Sequence, residues 1–155
     1  MRRYLEAVTQ LCLGIWVGSM TGFAMVAPQI FAAFGTQRQR AGDLAGAIIG
    51  RINTVGMILG FVALLALLPR LSSALARWRL ALLAGALALS LVGAFYIFPQ
   101  MAKAKPVVPI EQLALNDPVR VNYDNWHKLS EKVFGAAMLL GAGVILLGPL
   151  TREER

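Results

Sequence analysis

The sequence holds one histidine, His127, and groups of the kind that bind ligands flank it. Asp124 precedes it by three residues, and a helix there would place His127, Ser130, Glu131 and Phe134 on one face. Imidazole titrates near neutral pH, ligates metals and haem iron, and carries protons. We therefore take this face as the first candidate site. The alternative interpretation is structural: His127 bonds Asp124 or a loop carbonyl and holds the end of a helix.

Polar residues near the start of the second apolar run extend this candidate site. We expect Asp43 and Arg51 at the same membrane face as His127, with Arg51 binding either Asp124 across the bundle or a ligand. Asn53 is expected to form an interhelical hydrogen bond. The complete candidate set is His127, Asp124, Ser130, Arg51, Asp43, Asn53, Trp16, Pro28, Pro99 and Met101.

The same residues argue against most catalytic chemistry. Cys12, the single cysteine, lies in an apolar run and forms no CxxC motif. Ser130 has no adjacent base and oxyanion hole, so we assign no catalytic residue and favour a protein that is not an enzyme. One histidine makes a poor metal site, and we favour no cofactor. The alternatives are a metal ion on His127, or haem held by His127 with Met101 or a lysine opposite.

Composition places these residues in a membrane protein. The chain has 155 residues, of which 57% are hydrophobic and 15% charged, and its mean hydropathy is +0.63. Soluble domains carry about 25% charged residues. The net charge of +7 is spread over segment ends without a basic stripe, which indicates anchoring to lipid headgroups rather than binding to nucleic acid.

Four apolar runs are long enough to span a bilayer, and backbone groups in lipid must pair within their own segment. The sequence thus predicts an all-α, integral membrane four-helix bundle in a single domain. We expect Pro28 to kink the first helix, and Asn122 or Asp124 to cap the fourth. The spacing of Gly42, Gly46 and Gly50 predicts close packing inside the bundle. The predicted helices cover residues 5–34, 44–68, 80–98 and 125–147, with stops at Pro69, Pro99 and Pro149 and an extramembrane loop over 100–122.

Positive charges next to the helix ends suggest an orientation. Arg2, Arg3 and the short connection from Arg70 to Arg79 lie on one side, and short positively charged loops favour the cytoplasm. We expect both termini there, with His127 facing outward. The lipid bilayer is the expected partner, and a second copy or another membrane protein is a further one.

Several stretches together resemble a known family. They are residues 14–18 (GIWVG), 27–31 (APQIF), Gly42 with Gly46, 98–101 (FPQM) and 124–130 (DNWHKLS). The chain resembles the bacterial domain of unknown function 4149 family, similar to the eukaryotic transmembrane protein 205 group. This resemblance implies a four-helix membrane protein of the bacterial inner membrane with no established reaction. The residues that match are Trp16, Pro28, Phe31, Gly42, Gly46, Pro99, Asp124, His127 and Ser130.

The resemblance also gives hints about ligands. The eukaryotic group is associated with tolerance to metal-containing drugs, which suggests solute or metal handling. More distantly, the start of the first helix is similar to the copper-resistance D type and to the membrane protoporphyrinogen oxidase type. The latter binds haem through histidine, and the first helix here has none.

Three functions follow, in order of preference. The first is a membrane protein that binds or passes a small solute or metal ion, which predicts a polar cavity beside His127 lined by Asp43, Arg51 and Asp124. The second is a haem-binding membrane oxidoreductase. The third is a structural or assembly subunit of a membrane complex, which predicts an exposed small-residue helix face and no cavity.

Overall fold

Four long helical units form the protein in the computed structural model, which describes residues 2–71 and 73–153. All four are long and apolar enough to cross a membrane. The predicted all-α, four-helix membrane architecture is confirmed, and the described residues contain no strand. The helices are α1 (Arg2–Phe34), α2 (Arg38–Leu67), α3 (Ala74–Val92), α4 (Phe98–Ala104) and α5 (Pro118–Glu153).

The third spanning unit is composite. A π-helical turn, Gly93–Ile97, joins α3 to α4 without a break. α1 packs chiefly on α2 and α3 chiefly on α5, and smaller contacts between α1 and α5 and between α2 and α3 close the ring. The segment from Lys105 to Asp117, which includes a 3-10 turn at Ile110–Gln112, lies at the end of the bundle where α5 begins.

Local signals explain where the helices begin and end. Gly35, at φ +57°, follows α1 in the left-handed conformation that glycine adopts without strain. Asp117 caps α5: its Oδ1 accepts a hydrogen bond from Val119 N at 2.8 Å. Pro118 occupies the first helical position, where no N–H is needed. The predicted cap at Asn122 or Asp124 is therefore wrong, because both residues lie inside α5.

Two of the predicted proline stops are also wrong. Pro99 follows the π turn directly, and the helical unit continues through it to Ala104. α5 continues through Pro149 to Glu153, and α1 continues through Pro28 to Phe34. Of the three predicted stops, only Pro69 stands where a helix finishes, in a 3-10 turn after Leu67.

Trp16 lies at the centre of the core and is 2% exposed. Its indole packs on Gly56 and Gly60, and a β-carbon at Gly60 would lie 2.7 Å from Cζ3 of Trp16. These two glycines of α2 open the space that the indole fills. Gly46 and Gly50 do not play this part, because a β-carbon at either would meet nothing within 4 Å.

Candidate functional site

The first four turns of α5 bring the predicted histidine face together. Tyr123 and His127, four residues apart, stack with ring centroids 6.4 Å apart and an interplanar angle of 8°. His127 Nε2 lies 3.3 Å from a carboxylate oxygen of Glu131, one turn further on. Ser130 Oγ donates to the backbone oxygen of His127 at 2.7 Å. His127 is 38% exposed, so this end of α5 remains open to a ligand.

Arg120 lies one turn before this group and connects it to the loop. Its Nη1 donates to the backbone oxygen of Leu113 at 2.8 Å. Its Nε lies 3.9 Å from a carboxylate oxygen of Asp124, and this Nε is buried without a hydrogen-bond partner in the part of the chain that the structure describes. The side chain is 13% exposed. A guanidinium in this setting can donate to an added acceptor.

Polar contacts hold the loop against α2. Gln39 Oε1 accepts from the backbone N of Ile110 at 3.0 Å, and Ile110 itself is buried. Lys105 Nζ lies 2.5 Å from Oδ1 of Asp43. The loop therefore covers the end of the bundle between α2 and α5.

A polar cavity of about 460 Å³ lies under this loop. Its lining includes two arginines, Arg38 and Arg120, and one carboxylate residue, Asp124. The volume falls in the range of small-ligand pockets. The lining residues are Phe31, Gly35, Arg38, Gln39, Gly42, Ile110, Arg120, Tyr123, Asp124 and His127.

An apolar groove of about 300 Å³ adjoins the polar cavity and runs down the bundle between α1, α2 and α5. Phe31 and His127 line both spaces. The groove is lined by Phe23, Ala24, Ala27, Phe31, Ala45, Ile49, Phe98, His127, Ser130, Glu131, Phe134, Gly135 and Met138.

Three of the candidate residues, His127, Asp124 and Ser130, line these two spaces. Asp43 lies outside the lining and pairs with Lys105 on the loop. Of the two alternatives for Arg51, the ion pair with Asp124 is not found among the described residues: Asp124 lies 3.9 Å from Arg120, a neighbour on its own helix, whereas Arg51 is exposed.

The remaining candidates serve the fold. Asn53 makes the expected interhelical bond: its Nδ2 donates to the backbone oxygen of Ser90 at 3.1 Å, beside the π turn, where helical hydrogen bonding is disturbed. Trp16 is buried in the core, away from His127. Pro28 and Pro99 are exposed and Met101 is half-buried, and none of the three lines the cavity or the groove.

Sequence reasoning missed Arg38, Gln39, Arg120 and Tyr123. Arg120, Tyr123, Asp124 and His127 follow the three- and four-residue spacing of one helical face. That pattern was hidden because the helix was predicted to start at 125 rather than at Pro118.

A buried ion pair at the opposite end of the bundle was missed as well. Glu6 and Arg79 are each 1% exposed, and an Nη of Arg79 lies 3.0 Å from Oε1 of Glu6. Arg79 Nε also donates to the backbone oxygen of Val144 at 3.2 Å. Gln10 Nε2 donates to a carboxylate oxygen of Glu6 at 3.0 Å. It also lies 3.5 Å from the backbone oxygen of Ile145. That oxygen lacks its usual helical donor, because residue 149 is a proline and has no N–H. This cluster joins α1, α3 and α5.

The geometry describes a four-helix integral membrane protein with a ligand-sized polar cavity at one end. Residues 11–107 match the family described as Domain of unknown function (DUF4149), and the chain belongs to that family. No curated protein and no solved structure shows significant similarity to the chain. The family match covers α1, α2, α3 and α4, whereas the α5 residues of the cavity lie beyond it.

Proposed function

We propose that the protein binds a small anionic solute in the polar cavity at the His127 end of the bundle. The observation that carries the proposal is the pair Arg38 and Arg120 against the single carboxylate of Asp124 in a cavity of about 460 Å³. Guanidiniums bind phosphate and carboxylate groups through two parallel hydrogen bonds. The Nε of Arg120 is buried without a hydrogen-bond partner among the described residues, with Asp124 as its ion-pair neighbour at 3.9 Å, and supplies one such donor.

The same charges disfavour a metal ion at this place. Two guanidiniums repel a cation, and the described residues contain no group of three or more His, Cys, Asp or Glu side chains that could hold a metal. Haem fits poorly too. His127 faces Glu131 at 3.3 Å, and Met101, the predicted opposite ligand, lines neither the cavity nor the groove.

An assembly role is the second candidate, and one observation favours it. Gly14, Gly18 and Gly22 form an exposed row on α1 with nothing within 4 Å of a β-carbon, as an interface between spanning helices requires. That alternative predicts no cavity, however, and the cavity supports solute binding instead. Chemical crosslinking that traps an oligomer of the wild type, but not of Gly18→Leu, would favour assembly.

Removing the guanidinium of Arg120 should weaken anion binding at least tenfold. A charge-assisted hydrogen bond is worth about 1.5–3 kcal/mol, and each 1.4 kcal/mol corresponds to about a factor of ten in Kd. The measurement is calorimetric titration of glycerol phosphate into the full-length protein in phosphatidylcholine nanodiscs, comparing wild type with Arg120→Gln.

Arg40→Gln is the matched control. Arg40 lies on α2 close to the cavity, but its Nη1 donates to Gln37 at 2.8 Å and it does not line the cavity. We expect this variant to bind as the wild type does. Equal losses in both variants, or no binding by the wild type, would overturn the proposal.

We further propose that the chain is a bacterial inner-membrane protein related to the eukaryotic transmembrane protein 205 group, with both termini in the cytoplasm. The arginines near the amino terminus and in the α2–α3 connection support this orientation. The cavity would then open on the periplasmic side.

This orientation predicts that the loop over the cavity is labelled from outside the cell. Val107 is exposed in that loop, and Cys12, the single native cysteine, is buried. In a Cys12→Ala background, Val107→Cys should react with a membrane-impermeant maleimide in intact spheroplasts. Reaction only after the spheroplasts are lysed would reverse the orientation.

A further inference from the structure

The polar cavity and the apolar groove adjoin, and Phe31 and His127 line both. The guanidiniums of Arg38 and Arg120 lie at the cavity end. Beyond His127 the lining is mainly alanine and phenylalanine, with Ile49, Gly135 and Met138, apart from Ser130 and Glu131 near the junction. A charged end followed by an apolar channel matches an amphiphile rather than a fully polar solute.

The length of the groove matches one leaflet of a bilayer. On α5 its lining extends from His127 to Met138, which at 1.5 Å per residue is about 16 Å along the helix axis. The hydrocarbon core of a bilayer is about 30 Å thick, so one leaflet contributes about 15 Å. A chain in this groove would lie parallel to the lipid chains, with its head at the level of the cavity.

The volume of the groove suits a ligand with a single chain. Its volume of about 300 Å³ corresponds to roughly ten groups of the size of a water molecule. This is enough for one acyl chain of that length. The small side chains of Ala24, Ala27 and Ala45 leave room for it on the α1 and α2 walls.

The charged residues of the cavity indicate the head group of the ligand. Two guanidiniums suit a phosphate, which accepts from both at once. Tyr123 and Gln39 add neutral polar groups to the lining. We infer, given the anion binding proposed above, that the anion is the phosphate head of a single-chain membrane lipid. The acyl tail of this lipid would lie in the apolar groove.

The test compares a headgroup alone with the same headgroup carrying one chain. Glycerol phosphate and lysophosphatidate are titrated into the full-length protein in phosphatidylcholine nanodiscs, and the heat from empty nanodiscs is subtracted. Lysophosphatidate should bind at least tenfold more tightly than glycerol phosphate. Arg120→Gln should weaken both ligands.

Ala24→Phe tests the groove itself, since Ala24 is exposed and lines it. The added ring should weaken lysophosphatidate at least fivefold and leave glycerol phosphate unchanged. The matched control is Ala47→Phe, at an exposed position on α2 outside the groove, which should change neither ligand.

The outcomes separate the two proposals. Glycerol phosphate binding that depends on Arg120, with no gain from the chain, would overturn the lipid inference and leave anion binding intact. Equal losses of lysophosphatidate in Ala24→Phe and Ala47→Phe would also overturn the inference. A wild type that binds neither ligand would overturn both proposals.

Discussion

Replacing Glu6 with leucine is expected to lower the free energy of unfolding by about 3–5 kcal/mol, the cost of removing one partner from a buried ion pair. The change leaves the guanidinium of Arg79, which is 1% exposed, without its carboxylate. It also removes the acceptor for Gln10. The measurement is reversible unfolding of the purified protein in mixed micelles, followed by circular dichroism.

Two further variants identify the cause of this loss. Glu6→Leu combined with Arg79→Leu should recover most of the lost stability, because no unpaired charge is then buried. Glu111→Leu is the control, since Glu111 is exposed on a 3-10 turn, and it should change the stability by no more than about 0.5 kcal/mol. A Glu6→Leu effect as small as that of the control would show that the pair contributes little.

Gly56→Ala is expected to destabilise the protein by about 1–3 kcal/mol, the usual cost of overpacking a core. A β-carbon at Gly56 would overlap the indole nitrogen of Trp16, which is 2% exposed and has little room to move. The same unfolding measurement applies. Combining Gly56→Ala with Trp16→Leu should make the added methyl less costly, because the smaller side chain vacates its space.

Gly50→Ala is the matched control on the same helix. A β-carbon there meets nothing within 4 Å, and alanine favours a helix over glycine by about 0.8–1.0 kcal/mol. We expect this variant to be as stable as the wild type or slightly more so. If the two alanine variants lost equal stability, the close contact between Gly56 and Trp16 would not explain the result.

The spanning helices were predictable from sequence because hydropathy alone defines them. Within lipid, an apolar run of about 20 residues can form only a helix or part of a closed barrel. All four predicted spans are present. Their ends were less predictable, since polar residues such as Arg120 and Asp124 extend α5 outside the apolar run.

The cavity was predictable only in part. His127 and Asp124 line the cavity and Ser130 lines the adjoining groove, and all three were identified because side-chain chemistry is visible in the sequence. Arg38 and Arg120 were not identified, since they come together only when the loop packs across α2 and α5. The ion pair of Glu6 with Arg79 also depends on contacts between distant segments, as does the fit of Trp16 against Gly56.

Photolabelling with an azide-bearing phosphate ester tests most directly whether the anion binds at the His127 end. The full-length protein in nanodiscs is irradiated with the ester, and the adducts are located by mass spectrometry of its peptides. If the anion binds there, adducts should form in the two segments that line the cavity, residues 31–42 and 120–127. An excess of glycerol phosphate should suppress these adducts. Adducts spread over all four helices, or concentrated near Arg79, would contradict binding at the His127 end.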